Sequence, residues 1–159
     1  MALTTIQIEH RADAEREAIW ALLADVTTWP QWGEWDDARL QSADPDGGPG
    51  VGAVRDLRLR RTRSIERVTE FEPPHRMAYA LVGGNLPVRD YRGEVLLEAA
   101  PGGGTSITWR STFRAKVPGT AGIVTRRLEP FLLETAQRLG AAAEAAGAAG
   151  TSAPEPAGA

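Results

Sequence analysis

Arg55 is a charged residue at a position where a half-buried strand should carry an apolar side chain. It alternates at period two with three apolar residues, Ala53, Leu57 and Leu59. Strict alternation places all four on one strand face, so we expect Arg55 and Leu57 to face an apolar cavity and contact its ligand. A fixed positive charge there acts strongly on a carboxylate, enolate or carbonyl oxygen. Arg55 is therefore a candidate oxyanion anchor, and the alternative is a structural ion pair with an acid such as Asp90.

Two tyrosines are candidates for the same cavity. Tyr79 and Tyr91 fall on the apolar faces of neighbouring strand segments. A phenol in a cavity can donate a hydrogen bond to a ligand carbonyl, or act as a general acid in a cyclisation or dehydration. A buried tyrosine can equally be a core residue whose hydroxyl finds a partner in the protein. We count both among the ligand-binding residues and keep them, with Arg55, as catalytic candidates.

Tryptophans crowd the segment TWPQWGEW, which follows the first predicted helix. Trp35 is nearest the next strand, so we expect it to reach the cavity, whereas Trp29 and Trp32 are expected to pack that helix onto the sheet. Trp109 shares a strand face with apolar residues and is expected to line the pocket. Asn85, in the loop after two glycines, is a ligand-binding candidate at the cavity mouth, although turn chemistry alone also explains it.

Glu66 depends on a choice of strand face that the sequence leaves open. Glu66 and Glu70 flank Val68 at period two, while other residues of the segment 64–72 occupy the opposite face. If the Val68 face points inward, Glu66 is buried, its pKa rises, and it becomes a candidate base. The inward face of this strand is therefore the question that the structure must answer.

The sequence lacks the residues that several kinds of functional site require. The chain has no cysteine and two widely separated histidines, His10 and His75, so we expect no metal site. Its glycine-rich stretches match no phosphate-binding pattern, and we expect no cofactor. The net charge is −3, and the arginines of the run DLRLRRTRSIER mostly alternate. That pattern is typical of a solvated sheet face, so no nucleic-acid partner is expected.

The elements that must position these residues follow from the hydrophobic periodicity. A strand over residues 3–10 precedes a helix, and about six antiparallel strand segments follow between residues 37 and 115. After residue 118 the period becomes helical, and one apolar stripe includes Leu128 and Phe131. We expect both of these side chains to face the sheet and contact the ligand. Pro130 lies within the stripe and predicts a kink or the start of a second segment.

This order predicts an α+β fold. A curved antiparallel sheet of about six to seven strands wraps around a long C-terminal helix, with short helices after the first strand. Such an arrangement leaves space for a ligand between sheet and helix. We expect one domain over residues 1–147 and a disordered Ala/Gly/Pro tail over residues 148–159. No stretch resembles a signal peptide or is long enough to span a membrane, which favours the cytoplasm. Monomer and homodimer both remain open.

Five segments, in their order and spacing, resemble the START-like helix-grip superfamily and in particular its bacterial polyketide cyclase/dehydrase-like branch. They are IWALLADVTTWPQW (19–32), GVGAVRDLRL (50–59), ERVTEFEPPHRMAY (66–79), LPVRDYRGEVLLE (86–98) and GGTSITWRSTF (103–113). The resemblance extends over residues 3–145 and implies the helix-grip fold.

The resemblance also implies a hydrophobic small molecule, planar or polyketide-like, in the internal cavity. The superfamily contains aromatases and cyclases, lipid carriers, hormone receptors and chaperone regulators on one scaffold. Two functions therefore remain open. One is an enzyme that promotes cyclisation or dehydration through Arg55, Tyr79 and Tyr91, and the other is a non-catalytic carrier of a lipid or hydrophobic metabolite.

Overall fold

Seven antiparallel strands and a long final helix make up this fold, which is taken from a computed structural model and described here over residues 2–151. In chain order the elements are β1 (Thr4–Ala12), α1 (Arg16–Ala24), a 3-10 turn (Val26–Thr28), α2 (Trp29–Trp32), β2 (Asp37–Ser42), β3 (Val54–Leu59), β4 (Thr62–Glu72), β5 (Arg76–Gly84), β6 (Val88–Ala99), β7 (Thr105–Ala115) and α3 (Ala121–Thr151). The strand order is β1-β7-β6-β5-β4-β3-β2. The curved sheet grips the last helix, which confirms the predicted α+β helix-grip fold.

Alternation along the strands explains which face of the sheet is buried. In β7, Ile107, Trp109 and Phe113 are buried on the concave face, while Arg110 on the opposite face is exposed. β-branched and aromatic side chains suit a pleated surface that is covered on one side. The concave face, α1 and α3 therefore enclose the hydrophobic core.

Burial shows which face of β4 points inward, and the β4–β5 pairing contains two register shifts. Glu66 and Val68 are both buried, so the Val68 face points toward the core. The pairing then shifts between Val68 and Glu70. Glu70 instead forms ion pairs with Arg76 and Arg92. A bulge of this kind changes which face the following side chains occupy, and simple alternation could not reveal it.

Helix α3 packs on β1, β7 and α1. Its contact with β1 is close because Gly140 faces Ala12, and a Cβ added at Gly140 would lie only 2.8 Å from the Ala12 Cβ. Ala136 and Ala143, one turn away on either side, are fully buried. Small side chains therefore bring this half of the helix against the first strand.

The helix differs from the prediction at two points. Pro130 neither ends it nor starts a second segment, because α3 is one helix that includes this residue. The helix also continues to Thr151, past the expected domain boundary at Gly147. Alanine has the highest helix propensity, so an Ala-rich segment can extend a helix that is already formed. The rest of the predicted tail, residues 152–159, lies outside the described residues.

Two further findings concern residues 2–151 alone. None of the helices there has the length and hydropathy needed to cross a membrane. The same range holds no group of three or more His, Cys, Asp or Glu side chains arranged to bind a metal ion.

Candidate functional site

A cavity of about 570 Å³ lies between the concave face of the sheet and the first half of α3. Its walls are mainly apolar, and large side chains form most of them. The residues named from the sequence that line it are Trp35, Leu57, Tyr79, Tyr91, Trp109, Leu128 and Phe131. The strands contribute Leu57, Tyr79, Tyr91 and Trp109 at alternating positions, and α3 contributes Leu128 and Phe131 one turn apart. The structure thus brings together residues that are far apart in sequence.

Aromatic rings form one wall of the cavity. Trp35 contacts both Trp29 and Phe131, with ring centroids 4.8 Å and 5.7 Å apart. Trp29 lines the cavity as well, although the sequence favoured a packing role for it over a place at the cavity mouth. Its indole N–H donates to the Leu23 carbonyl at 3.1 Å, which fixes the ring against α1. Trp32 remains outside the lining, as a packing role requires.

Asn85 does not line the cavity within the described part of the chain. Its side-chain oxygen accepts a hydrogen bond from the Arg63 backbone N–H at 2.8 Å, and its amide donates to the Arg61 carbonyl at 2.7 Å. The side chain is exposed and ties the end of β5 to the β3–β4 turn. Asn85 therefore has the role in a turn that the sequence offered as the alternative to ligand binding.

Arg55 is buried on the concave face but is not among the described lining residues, so the structure adds no support to its placement as a ligand contact. Its guanidinium carbon lies 4.8 Å from the ring centroids of both Trp29 and Tyr79. Nη2 donates to Glu66 Oε2 at 2.6 Å. The two residues face each other across β3 and β4 in the strand register. The sequence-based alternative, a structural ion pair with an acid, is therefore confirmed, but the acid is Glu66 and not the suggested Asp90, which pairs with Arg114 at 3.3 Å.

Glu66 lines the cavity, and its carboxylate forms the ion pair with Arg55. Burial raises the pKa of Glu66 above its usual value, while the Arg55 charge and the hydrogen bonds from Arg55 and Ser64 partly oppose the rise. The bond from the Ser64 hydroxyl to Oε1 is long, at 3.4 Å. A buried ion pair of this kind costs desolvation free energy that its Coulomb attraction must offset.

The two tyrosines belong to a hydrogen-bonded wall. The Trp109 indole N–H donates to the Tyr79 hydroxyl at 2.9 Å, and the Tyr91 hydroxyl shares a hydrogen bond of 2.8 Å with Ser111. Burial raises the pKa of Tyr79 well above its usual value and raises the pKa of Tyr91 to about 12. Both phenols therefore stay protonated at neutral pH, which suits hydrogen-bond donation and excludes a role as a phenolate base.

Gly93 on β6 makes room for this wall. A Cβ at that position would lie 2.2 Å from Tyr79 Cζ, so the ring can cross the neighbouring strand only over a glycine. Tyr79 pairs with Gly93 in the β5–β6 register. This close approach fixes the plane of the Tyr79 ring and thus the position of its hydroxyl.

The sequence leaves the face of Glu66 open and favours packing over cavity lining for Trp29, whereas both residues line the cavity. The hairpin of β3 and β4 contains one feature that points to Glu66. A two-residue turn at Arg60–Arg61 joins β3 to β4 and fixes the register in which Arg55 opposes Glu66. Arg60 has a positive φ of 55°, which is uncommon outside glycine, so the turn was hard to predict from residue types.

The fold and the mainly apolar cavity define a helix-grip protein with a candidate site between sheet and helix. The chain belongs to the polyketide cyclase/dehydrase and lipid transport family, whose model matches residues 4–144. No curated protein matches the chain.

Two solved structures share the fold. One is a START superfamily protein from Mycobacterium smegmatis, with a TM-score of 0.74 and 17% identity, covering 91% of this chain and 98% of that one. The other is a protein from Thermus thermophilus, with a TM-score of 0.71 and 16% identity, covering 90% of this chain and 99% of that one. At these identities the similarity shows the fold alone.

Proposed function

We propose that this protein binds a hydrophobic, planar small molecule, such as a polyketide-like compound, between its sheet and α3. The observation that carries the proposal is the mainly apolar cavity of about 570 Å³. Small-molecule sites typically occupy some 300–1,000 Å³ and have apolar walls with a few polar groups. Family membership supports the same class of ligand.

Planarity of the ligand is supported by the shape of the aromatic wall. Trp35 and Phe131 meet edge to face, at an interplanar angle of 75°. Rings held at such angles present flat faces and edges against which another aromatic system packs well. Trp109, held by its bond to Tyr79, forms a further rigid surface.

Catalysis of cyclisation or dehydration is a second candidate function, and one observation favours it. Glu66 brings a buried carboxylate to the cavity, where it is able to accept a proton from a bound ligand. Two other catalytic candidates, however, already have hydrogen-bond partners in the protein. Arg55 donates to Glu66, and the Tyr91 hydroxyl shares a hydrogen bond with Ser111. Binding without chemistry, as in a carrier of a lipid or hydrophobic metabolite, needs none of these groups to react. Binding is therefore the function that we propose first.

Titration with the neutral fluorescent probe N-phenyl-1-naphthylamine tests the proposal. We expect one-to-one binding, quenching of tryptophan fluorescence and a higher melting temperature, because a ligand of the folded state stabilises it by mass action. Leu128→Trp fills the cavity and should weaken binding by about tenfold or more, equivalent to ~1.4 kcal/mol.

Leu133→Trp is the matched control on the same helix. Leu133 is 36% exposed and lies outside the lining, so this variant should bind the probe as the parent does. Absence of saturable binding to the parent protein would refute the proposal. Undiminished binding to Leu128→Trp would show that the probe binds elsewhere.

A further inference from the structure

The charged side chains that line the cavity differ in depth. Glu34, Arg60 and Arg127 are exposed, whereas Glu66 is buried at 7% exposure. Of the charged lining residues within residues 2–151, Glu66 is thus the one that a fully enclosed ligand meets away from solvent. The charged group deep in the cavity is therefore an acceptor of hydrogen bonds.

Glu66 has acceptor capacity left for a ligand. A carboxylate offers about four lone-pair sites. Oε2 accepts the short bond from Arg55 at 2.6 Å, and Oε1 receives a long contact of 3.4 Å from Ser64. A ligand hydroxyl is well suited to supply the stronger bond that Oε1 lacks within the described chain.

Glu66, and not Arg55, belongs to the described lining of the cavity. The rings of Trp29 and Tyr79 each lie 4.8 Å from the guanidinium carbon, and Nη1 contacts the Met77 sulfur at 3.8 Å. These side chains pack around the guanidinium on several sides. Arg55 is therefore a positioning residue, whose charge and hydrogen bond orient the carboxylate of Glu66.

We infer that the cavity selects neutral hydrophobic ligands carrying a hydroxyl group, which donates a hydrogen bond to Glu66, and that it rejects carboxylate ligands. The inference rests on the proposed binding function and names the chemical class of its ligand. A hydrogen bond to a charged acceptor is stronger than one to a neutral acceptor. A carboxylate ligand would instead face a buried like charge without access to Arg55, which is strongly unfavourable.

Three probes with one ring system test the inference on the parent protein at pH 7. They are 2-naphthol, 2-methylnaphthalene and 2-naphthoate. A phenol is neutral at this pH and an aromatic carboxylate is ionised. Fluorescence titration should give 2-naphthol the tightest binding, by about tenfold over the methyl analogue, and 2-naphthoate the weakest.

A double variant tests the role of Glu66 without leaving a buried charge unpaired. Arg55→Met combined with Glu66→Leu replaces the ion pair by apolar side chains, an exchange that folded proteins often tolerate. It should bind 2-methylnaphthalene as tightly as the parent does, or more tightly, and should lose the preference for 2-naphthol. Asp56→Asn is the matched control, because it removes a carboxylate from the opposite face of β3 and should keep the preference.

The possible outcomes separate the inference from the proposed function. Tightest binding of 2-naphthoate would show that a positive charge reaches the ligand and would overturn the inference. Equal binding of 2-naphthol and 2-methylnaphthalene, or a preference that survives in the double variant, would overturn it while leaving the binding function in place. Failure of all three probes to bind, together with N-phenyl-1-naphthylamine, would overturn both.

Discussion

The two halves of α3 meet the sheet in different ways. From Ala136 onward the inward face of the helix packs against β1 and α1, and we call this region the closed end. Over residues 123–135 the helix faces the cavity, and we call this region the open end. Side-chain size distinguishes them, since Gly140 and Ala143 face inward at the closed end and Leu128 and Phe131 at the open end.

The comparison teaches how a single helix creates a cavity. Small residues at the closed end bring the helix axis close to β1, with Gly140 against Ala12. At the open end the inward-facing side chains of Leu128 and Phe131 are bulky, and they line the cavity. The change in side-chain size along one helix face therefore accompanies the change from close contact with β1 to a space for a ligand.

Truncation of one large side chain at each end tests this comparison most strongly. Leu139 is fully buried at the closed end, so Leu139→Ala should lower the free energy of unfolding by roughly 2–5 kcal/mol. Phe131 lines the cavity and is only partly buried, so Phe131→Ala should cost less than the roughly 3–5 kcal/mol of a packed phenylalanine. Urea denaturation measures both. A greater loss for Phe131→Ala than for Leu139→Ala would contradict the division into two ends.

A methyl group added at Gly140 should have the next largest effect. The new Cβ would lie 2.8 Å from the Ala12 Cβ on a rigid strand, so Gly140→Ala should destabilise the protein by about 1–3 kcal/mol. Alanine favours a helix interior over glycine by up to ~1 kcal/mol, so a loss would be due to the contact with β1. Gly147→Ala is the control, because its Cβ meets nothing within 4 Å, and it should not lower stability. Stabilisation by Gly140→Ala would mean that the helix is not held close to β1.

The smallest expected effect concerns pH and the buried carboxyl group at the open end. Glu66 faces Arg55, Ser64, Tyr79 and Tyr91, and its pKa in the folded protein is raised above 4.5 by burial. The folded protein then binds this proton more tightly than the unfolded chain does. The free energy of unfolding should therefore fall as pH rises from 4.5 through the raised pKa, and then level off.

Comparison with Glu66→Gln isolates this contribution. The difference in unfolding free energy between parent and variant, measured by urea denaturation from about pH 4.5 to about pH 7.5, should change in favour of the variant as pH rises. A change in favour of the parent would show that attraction to Arg55 outweighs burial and that the pKa is lowered.

Periodicity alone predicted much of this molecule. Alternation placed Tyr79 and Trp109 on the concave face, and helical spacing placed Leu128 and Phe131 toward the sheet. These predictions succeeded because each depends on neighbours within one element. The same alternation put Arg55 on the correct face, yet it could not show what covers the side chain.

The details that the sequence left open depend on contacts between elements. The partner of Arg55 is determined by the β3–β4 register, and the contacts of Asn85 depend on where β5 ends beside the β3–β4 turn. Glu66 was left undecided because a bulge in β4 interrupts the alternation on which its face would have been assigned. Residue types alone do not show where a strand register shifts or which side chains of other elements cover a residue. These details are therefore visible only in the structure.

The position of β1 has a consequence for how the protein is made. β1 is the first strand, yet its neighbours are β7 and α3, about a hundred residues later in the chain. While the polypeptide emerges from the ribosome, β1 has no partner until those elements have left the exit tunnel. During that interval the apolar concave surface of the growing sheet is uncovered and prone to aggregate. The nascent chain therefore cannot complete its fold before nearly all of it has been synthesised.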